Sequence, residues 1–215
     1  MIAVNEILKG IDKPPLTLVA EALVKETEAI AVDKQNWTTG SYKPKATVNI
    51  GYSKAELFIK FTVEEEAIRA IHTENNSKVS KDSCCELFIS PDANDYYYNI
   101  ELSCIGTLLM GYRKAGDLAT RPDAATMEQV RRISSLGNQP FGLKEGLFKW
   151  TLVAAIPFTA FFMHKLTPTK NKTFTANIYK CGDELPNPHY LSLFPINTEK
   201  PSFHRPDYFG AFCFL

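Results

Sequence analysis

Cys84-Cys85-Glu86-Leu87-Phe88-Ile89-Ser90, followed across Pro91 to Asp95 by Tyr96-Tyr97-Tyr98-Asn99-Ile100-Glu101-Leu102-Ser103, is the stretch that decides the fold class. Both runs are short, apolar at alternate positions and bounded by turn-forming residues, which reads as two strands joined in a hairpin. Side chains alternate across a strand. Cys85, Leu87 and Ile89 therefore share one face, and Cys84, Glu86 and Phe88 the other. In the second strand Tyr96, Tyr98, Ile100 and Leu102 oppose Tyr97, Asn99, Glu101 and Ser103. Pairing the two gathers Glu86, Asn99 and Glu101 on one polar face.

Working outward, the same period-two pattern recurs at Ala29 to Val32, Ala46 to Gly51, Glu56 to Val63, Thr107 to Arg113, Val130 to Ser134, Leu147 to Ala155, Thr173 to Tyr179 and Phe209 to Phe214. Glu64 to Ala70 reads equally as a helix start or as a strand running on past a bulge. Pro157 to Lys165 carries Phe158, Phe161 and Phe162 at helical spacing and reads as one short helix or helical turn plugging the core. Arg113 to Glu128 lacks alternation and reads as a long excursion. About ten strands with one short helix predict an all-β fold, a β-sandwich, and 215 residues suit a single domain over 1–215.

Apolar residues at 45% and charged residues at 22% are ordinary for a globular chain, which sets aside disorder. The formal charge is zero with Lys and Arg scattered, so no nucleic acid partner is expected. No apolar run approaches the ~18 residues that span a bilayer, so no membrane partner is expected either. Met1 to Ala20 is broken by Lys9, Asp12, Lys13 and Pro14-Pro15 and holds no signal-like apolar region. Five irregularly spaced cysteines fit buried free thiols in a reducing compartment. The expected location is cytoplasmic unless a leader has been removed.

A second polar run lies near the end: Asn177-Ile178-Tyr179-Lys180-Cys181-Gly182-Asp183, then Pro188-His189-Tyr190-Leu191-Ser192, then Pro201-Ser202-Phe203-His204-Arg205-Pro206-Asp207-Tyr208-Phe209-Gly210. Alternation turns Phe174, Ala176 and Ile178 inward and Thr175, Asn177 and Tyr179 outward, with Lys180 at the strand end. Lys180 either neutralises Glu86 or Glu101 or meets a ligand. His189 and His204 read as loop anchors or as ligand contacts. Trp37, before an early turn, and Trp150, in an apolar strand, belong in or at the rim of the core. No H-x-x-x-H or C-x-x-C spacing exists, which argues against zinc. Calcium stays open, since carboxylate and carbonyl loops hold it without a strict motif.

The two runs together resemble the family 9-like carbohydrate-binding domains, from about Trp37 to the C-terminus. The resemblance implies a β-sandwich and non-catalytic binding of a saccharide, with no cofactor. On this chain the polar contacts would be Glu86, Asn99, Glu101, Lys180, His189 and His204, with Tyr98 and Tyr179 as stacking surfaces. Ser192-Leu193-Phe194 stands where similar sequences read Ser-Trp, so a tryptophan clamp around a terminal sugar is not implied. Three alternatives stay in view. They are a glycoside hydrolase using Glu86 and Glu101, a haem-binding sandwich using Met110 and a His, and a protein-interaction domain.

Overall fold

A computed structural model describes residues 1–37 and 42–215; the turn read after Trp37 lies outside them. Among the described residues there are thirteen strands and two α-helices. One sheet orders β8 (Leu108–Lys114), β7 (Tyr96–Ser103), β6 (Cys84–Ser90), β11 (Thr173–Cys181) and β13 (Gly210–Phe214). The other orders β4 (Lys45–Tyr52), β5 (Glu56–Ala70), β10 (Phe141–Pro157) and β9 (Arg131–Ser134). Strand β1 (Ile2–Glu6) joins them: Ile2 to Val4 pair parallel with β13, and Asn5 and Glu6 pair parallel with β4. A strand that changes sheets in this way closes one corner of a sandwich. Short strands β2 (Ile30–Ala31), β3 (Lys34–Gln35) and β12 (Tyr190–Ser192) add to the margins, β2 on β4 and β12 between β11 and β3.

The β-sandwich expected from alternation is therefore present, and its core lies between the sheets. Leu87, Ile100, Met110 and Ile178 from one layer meet Ile50, Ile59, Phe61 and Leu152 from the other. Glu64 to Ala70 continues as strand, because β10 supplies an antiparallel partner along nearly the whole of β5. Register shifts between Phe141 and Lys144 and between Glu145 and Phe148 absorb the irregularity. The segment after Pro157 forms a 3₁₀ turn, Phe158–Ala160, whose Phe158 and Phe161 are buried in the core.

The two helices have no counterpart in the alternation pattern, and neither do strands β1, β3 and β12. Helix α1 (Leu16–Glu26) starts behind Pro15 and buries Val19, Ala22 and Leu23 at helical spacing. Those residues pack on Ile7, Phe58, Val153 and Ala155, covering the outer face of the β4/β5/β10 sheet. Helix α2 (Ala124–Gln129) lies in the long excursion and is capped by Asp123, which accepts from the Thr126 N–H at 2.8 Å.

What positions the site is the cover on the opposite sheet. All seven residues of β6 are buried, on both faces. Trp37, Ile196, Phe203, Tyr208 and Phe209 pack on Phe88, Tyr97 and Tyr179 of the outer face. Asn177 clamps this cover, donating to the carbonyls of Phe194 (3.1 Å) and Tyr208 (3.3 Å) and accepting from the Phe194 N–H (3.0 Å). At Gly210 a Cβ would stand 2.2 Å from the Phe194 ring, so a larger residue would require that ring to move.

Candidate functional site

Strand register builds the site. Glu86 faces Glu101 across β6 and β7, and Tyr179 faces Glu86 across β11 and β6. All three side chains rise from the outer face, where the 201–204 segment leaves a cavity of about 180 Å³. Its lining includes Ser80, Glu86, Glu101, Asp183 and His204 as polar groups, with Phe88, Tyr190 and Phe203 as rings. Beneath it, Phe203 stacks on Tyr179 with ring centroids 4.1 Å apart and planes 9° apart. Tyr179 also donates to the Phe203 carbonyl at 3.1 Å, so the ring supports the wall and does not line the cavity.

The two carboxyls differ. Glu86 is 2% exposed, and its hydrogen-bond partners among the described residues are thiols, Cys181 at 3.1 Å and Cys84 at 4.0 Å. Burial, reinforced by Cys181 and Glu101, pushes its carboxyl well above the usual range. Glu101 accepts from the Asn99 amide at 2.9 Å and lies near Arg121 and Arg113. Burial raises it to about 7, with the Asn99 bond and Arg121 restraining the rise. The Asn99 carbonyl oxygen is buried with no hydrogen-bond partner among the described residues. His204 is hydrogen-bonded through Nδ1 to the Tyr97 hydroxyl at 2.8 Å. Burial, then Arg113 and Arg121, lowers it to about 4, so it is neutral.

Three residues expected here lie elsewhere. Strand β11 runs on to Cys181, and the alternation that turns Ile178 inward turns Lys180 inward as well. Lys180 is completely buried and pairs with Glu65 of β5 at 2.8 Å, not with Glu86 or Glu101. Its hydrogen bonds go to the Cys181 carbonyl at 2.8 Å and His189 Nε2 at 2.9 Å, while Glu65 Oε2 meets the ammonium as an ion pair and has no hydrogen-bond partner among the described residues. His189 donates from Nδ1 to the Asn187 carbonyl at 3.0 Å. Burial and then Lys180 lower its pKa to about 3, which fits a neutral ring accepting from the lysine. Tyr98 is fully buried on the inner face, its hydroxyl between the Met163 N–H (2.9 Å) and His164 Nδ1 (2.8 Å).

Both tryptophans sit where the sequence placed them. Trp150 donates to Glu65 at 2.8 Å within the core, and Trp37 donates to the Thr198 carbonyl at 2.8 Å beside Tyr190 and Phe203. Met110 belongs to the apolar core between the sheets. Sequence reasoning missed Ser80, Asp183, Tyr190, Phe203 and Arg121, which come from loops and a margin strand without a periodic signal. Arg121 reaches the site from the long excursion by donating to the Met110 carbonyl at 3.0 Å.

The model of carbohydrate-binding family 9 matches residues 17–214. The chain belongs to that family. Its structure is similar to that of a candidate carbohydrate-binding protein from Bacteroides uniformis, at 34% identity and a TM-score of 0.92, covering 100% of this chain and 99% of the other. It also resembles a family 9 module from Caldicellulosiruptor kristjanssonii in complex with glucose, at 10% identity and a TM-score of 0.60, covering 100% and 95%. The cellotriose complex of a module from that organism gives 10% and 0.59, covering 99% and 92%. With these two the family 9 chain shares the fold. No curated protein matches the sequence. Among the described residues no helix is long and apolar enough to cross a membrane.

Proposed function

We propose that this family 9 chain binds a saccharide, without cleaving it, in the cavity between Glu86, Glu101, Asp183 and His204. The observation that carries the reading is a pair of buried carboxyls opening on a small cavity walled by Phe88, Tyr190 and Phe203. Sugar hydroxyls need paired donors and acceptors, and sugar C–H faces need apolar rings. Glu86 and Glu101 bond sugar hydroxyls side by side, and neutral His204 serves a further hydroxyl. The cavity is smaller than the roughly 300–1,000 Å³ clefts that take drug-sized ligands. It therefore suits one sugar residue better than a chain threaded through. The family supports the reading, as do the glucose and cellotriose bound by the Caldicellulosiruptor modules.

Cleavage would require two carboxyls flanking the scissile bond. Glu86 and Glu101 stand side by side on one sheet face and lie together under any ligand. A glycan array followed by calorimetry on its strongest hit tests the proposal. Binding should weaken at least tenfold, about 1.4 kcal/mol, in Glu101→Ala, and chromatography of the ligand after incubation should show it intact. Undiminished affinity in Glu101→Ala moves the site elsewhere, and released fragments overturn the non-catalytic part.

A further inference from the structure

We propose that Cys84, Glu86 and Cys181 form a site for a thiophilic divalent metal, Zn²⁺, at the floor of the cavity. Cys181 and Cys84 occupy matching register positions on β11 and β6, so both thiols rise from one face, and Glu86 stands two residues along β6 on that same face. The Glu86 carboxylate oxygen lies 3.1 Å from Cys181 Sγ and 4.0 Å from Cys84 Sγ, and the three ligand atoms fall within 4.8 Å of one another. A tetrahedral zinc, with bonds of about 2.3 Å to sulfur and 2.1 Å to oxygen, sets its ligands roughly 3.6–3.8 Å apart. The observed spacing brackets that value, so side-chain rotations suffice.

Two further features point to a ligand. The Glu86 side chain is 2% exposed yet has only thiols as hydrogen-bond partners, and among the described residues no Lys, Arg or His makes an ion pair with it. Thiols are weak donors, and a buried carboxyl so poorly served is an exception that calls for an explanation. Glu86 and Cys181 also line the cavity, which leaves a fourth coordination position open to water or to a ligand hydroxyl, with Ser80 and Asp183 beside it. Two sulfurs and one oxygen favour zinc over calcium or magnesium, which prefer all-oxygen sites. On binding, each thiol, and the Glu86 carboxyl where it carries a proton, releases that proton to water. The absence of a C-x-x-C pattern has no bearing, because convergence comes from strand pairing. The site goes beyond saccharide binding and shares Glu86 with it; cobalt uptake, read without any sugar, tests it separately.

The test is cobalt titration of the full chain, reduced and metal-free, followed by X-ray absorption of the zinc-loaded protein. One equivalent of Co²⁺ should produce thiolate-to-cobalt charge-transfer absorption and tetrahedral d–d bands, displaced by Zn²⁺ and untouched by excess Ca²⁺. Cys84→Ser and Cys181→Ser should each weaken uptake at least tenfold, while Cys213→Ser, away from the cluster, should not. If either cluster variant fails to fold, zinc-loaded wild type still decides: two sulfur neighbours at about 2.3 Å support the site. No thiolate band at excess cobalt, a shell of nitrogen and oxygen alone, or uptake unchanged in both cluster variants would overturn it.

Discussion

Lys180 and Cys181 are neighbours on one strand, yet they serve two regions with opposite economies of charge. Inward, Lys180, Glu65, His189 and Trp150 tie the two sheets together, the Lys180 ammonium meeting the Glu65 carboxylate as an ion pair and donating to the Cys181 carbonyl and His189 Nε2. Outward, Glu86 rests on two thiols, Glu101 on one amide, and the Asn99 oxygen has no partner among the described residues. Both regions are buried. Burial alone therefore does not separate architecture from recognition; the pairing of opposite charges does, present between Lys180 and Glu65 and absent at Glu86 and Glu101 among the described residues. A neutralised charge pair holds the fold, whereas carboxyls without a cation partner beside a cavity have capacity left for a ligand.

The largest effect should come from breaking the inner group. Lys180→Met leaves Glu65 as a buried carboxylate without its cation and should cost about 3–5 kcal/mol in urea unfolding. Adding Glu65→Gln should restore most of that loss, since a buried ion pair replaced as a unit is often near neutral. The comparison breaks if Lys180→Met unfolds like wild type but loses saccharide binding.

Acid should act next most strongly, through His189. Its folded pKa of about 3 lies below the usual value near 6.5, so between those limits the unfolded chain binds more protons and stability falls as pH falls. Wild type should lose about 1.4 kcal/mol per pH unit relative to His189→Gln across that window. The contrast between variants isolates this term from Glu86 and Glu101, whose raised carboxyls act in the opposite sense. Parallel stability curves for the two proteins would place the protonation elsewhere.

In the outer region the balance reverses. Burial raises the Glu86 carboxyl and no cation pairs with it among the described residues, so the nearly isosteric Glu86→Gln should change stability by less than ~1 kcal/mol. Its saccharide affinity should nevertheless drop about tenfold, measured beside the melting curve. A stability loss as large as that of Lys180→Met would make Glu86 architectural too. The smallest effect expected is that of Phe203→Leu, which keeps an apolar wall but removes the stack on Tyr179. It should cost ~1 kcal/mol in stability and a few-fold in affinity.

The polar face of the central hairpin was legible because period two is a local property. Glu86, Asn99 and Glu101 stand together as alternation requires, and Glu86 meets Glu101 in register. Lys180 was misplaced for a reason equally local. Read as the end of a strand it was free to turn outward, whereas two more residues of pairing with β6 fix it inward. His189 followed it, since its ring is held by that ammonium. Helix α1 went unread because its apolar stripe finds meaning only against the sheet face it covers.

By itself the sequence determined a β-sandwich, the side on which each residue of the β6/β7 hairpin stands, and a family, since these depend on alternation and on motifs within single segments. Tertiary structure alone decided which buried charges neutralise one another, which loops wall the cavity, and that Cys84 meets Cys181. Those outcomes depend on strand register and on the C-terminal cover clamped by Asn177, which bring together residues that no spacing along the chain connects.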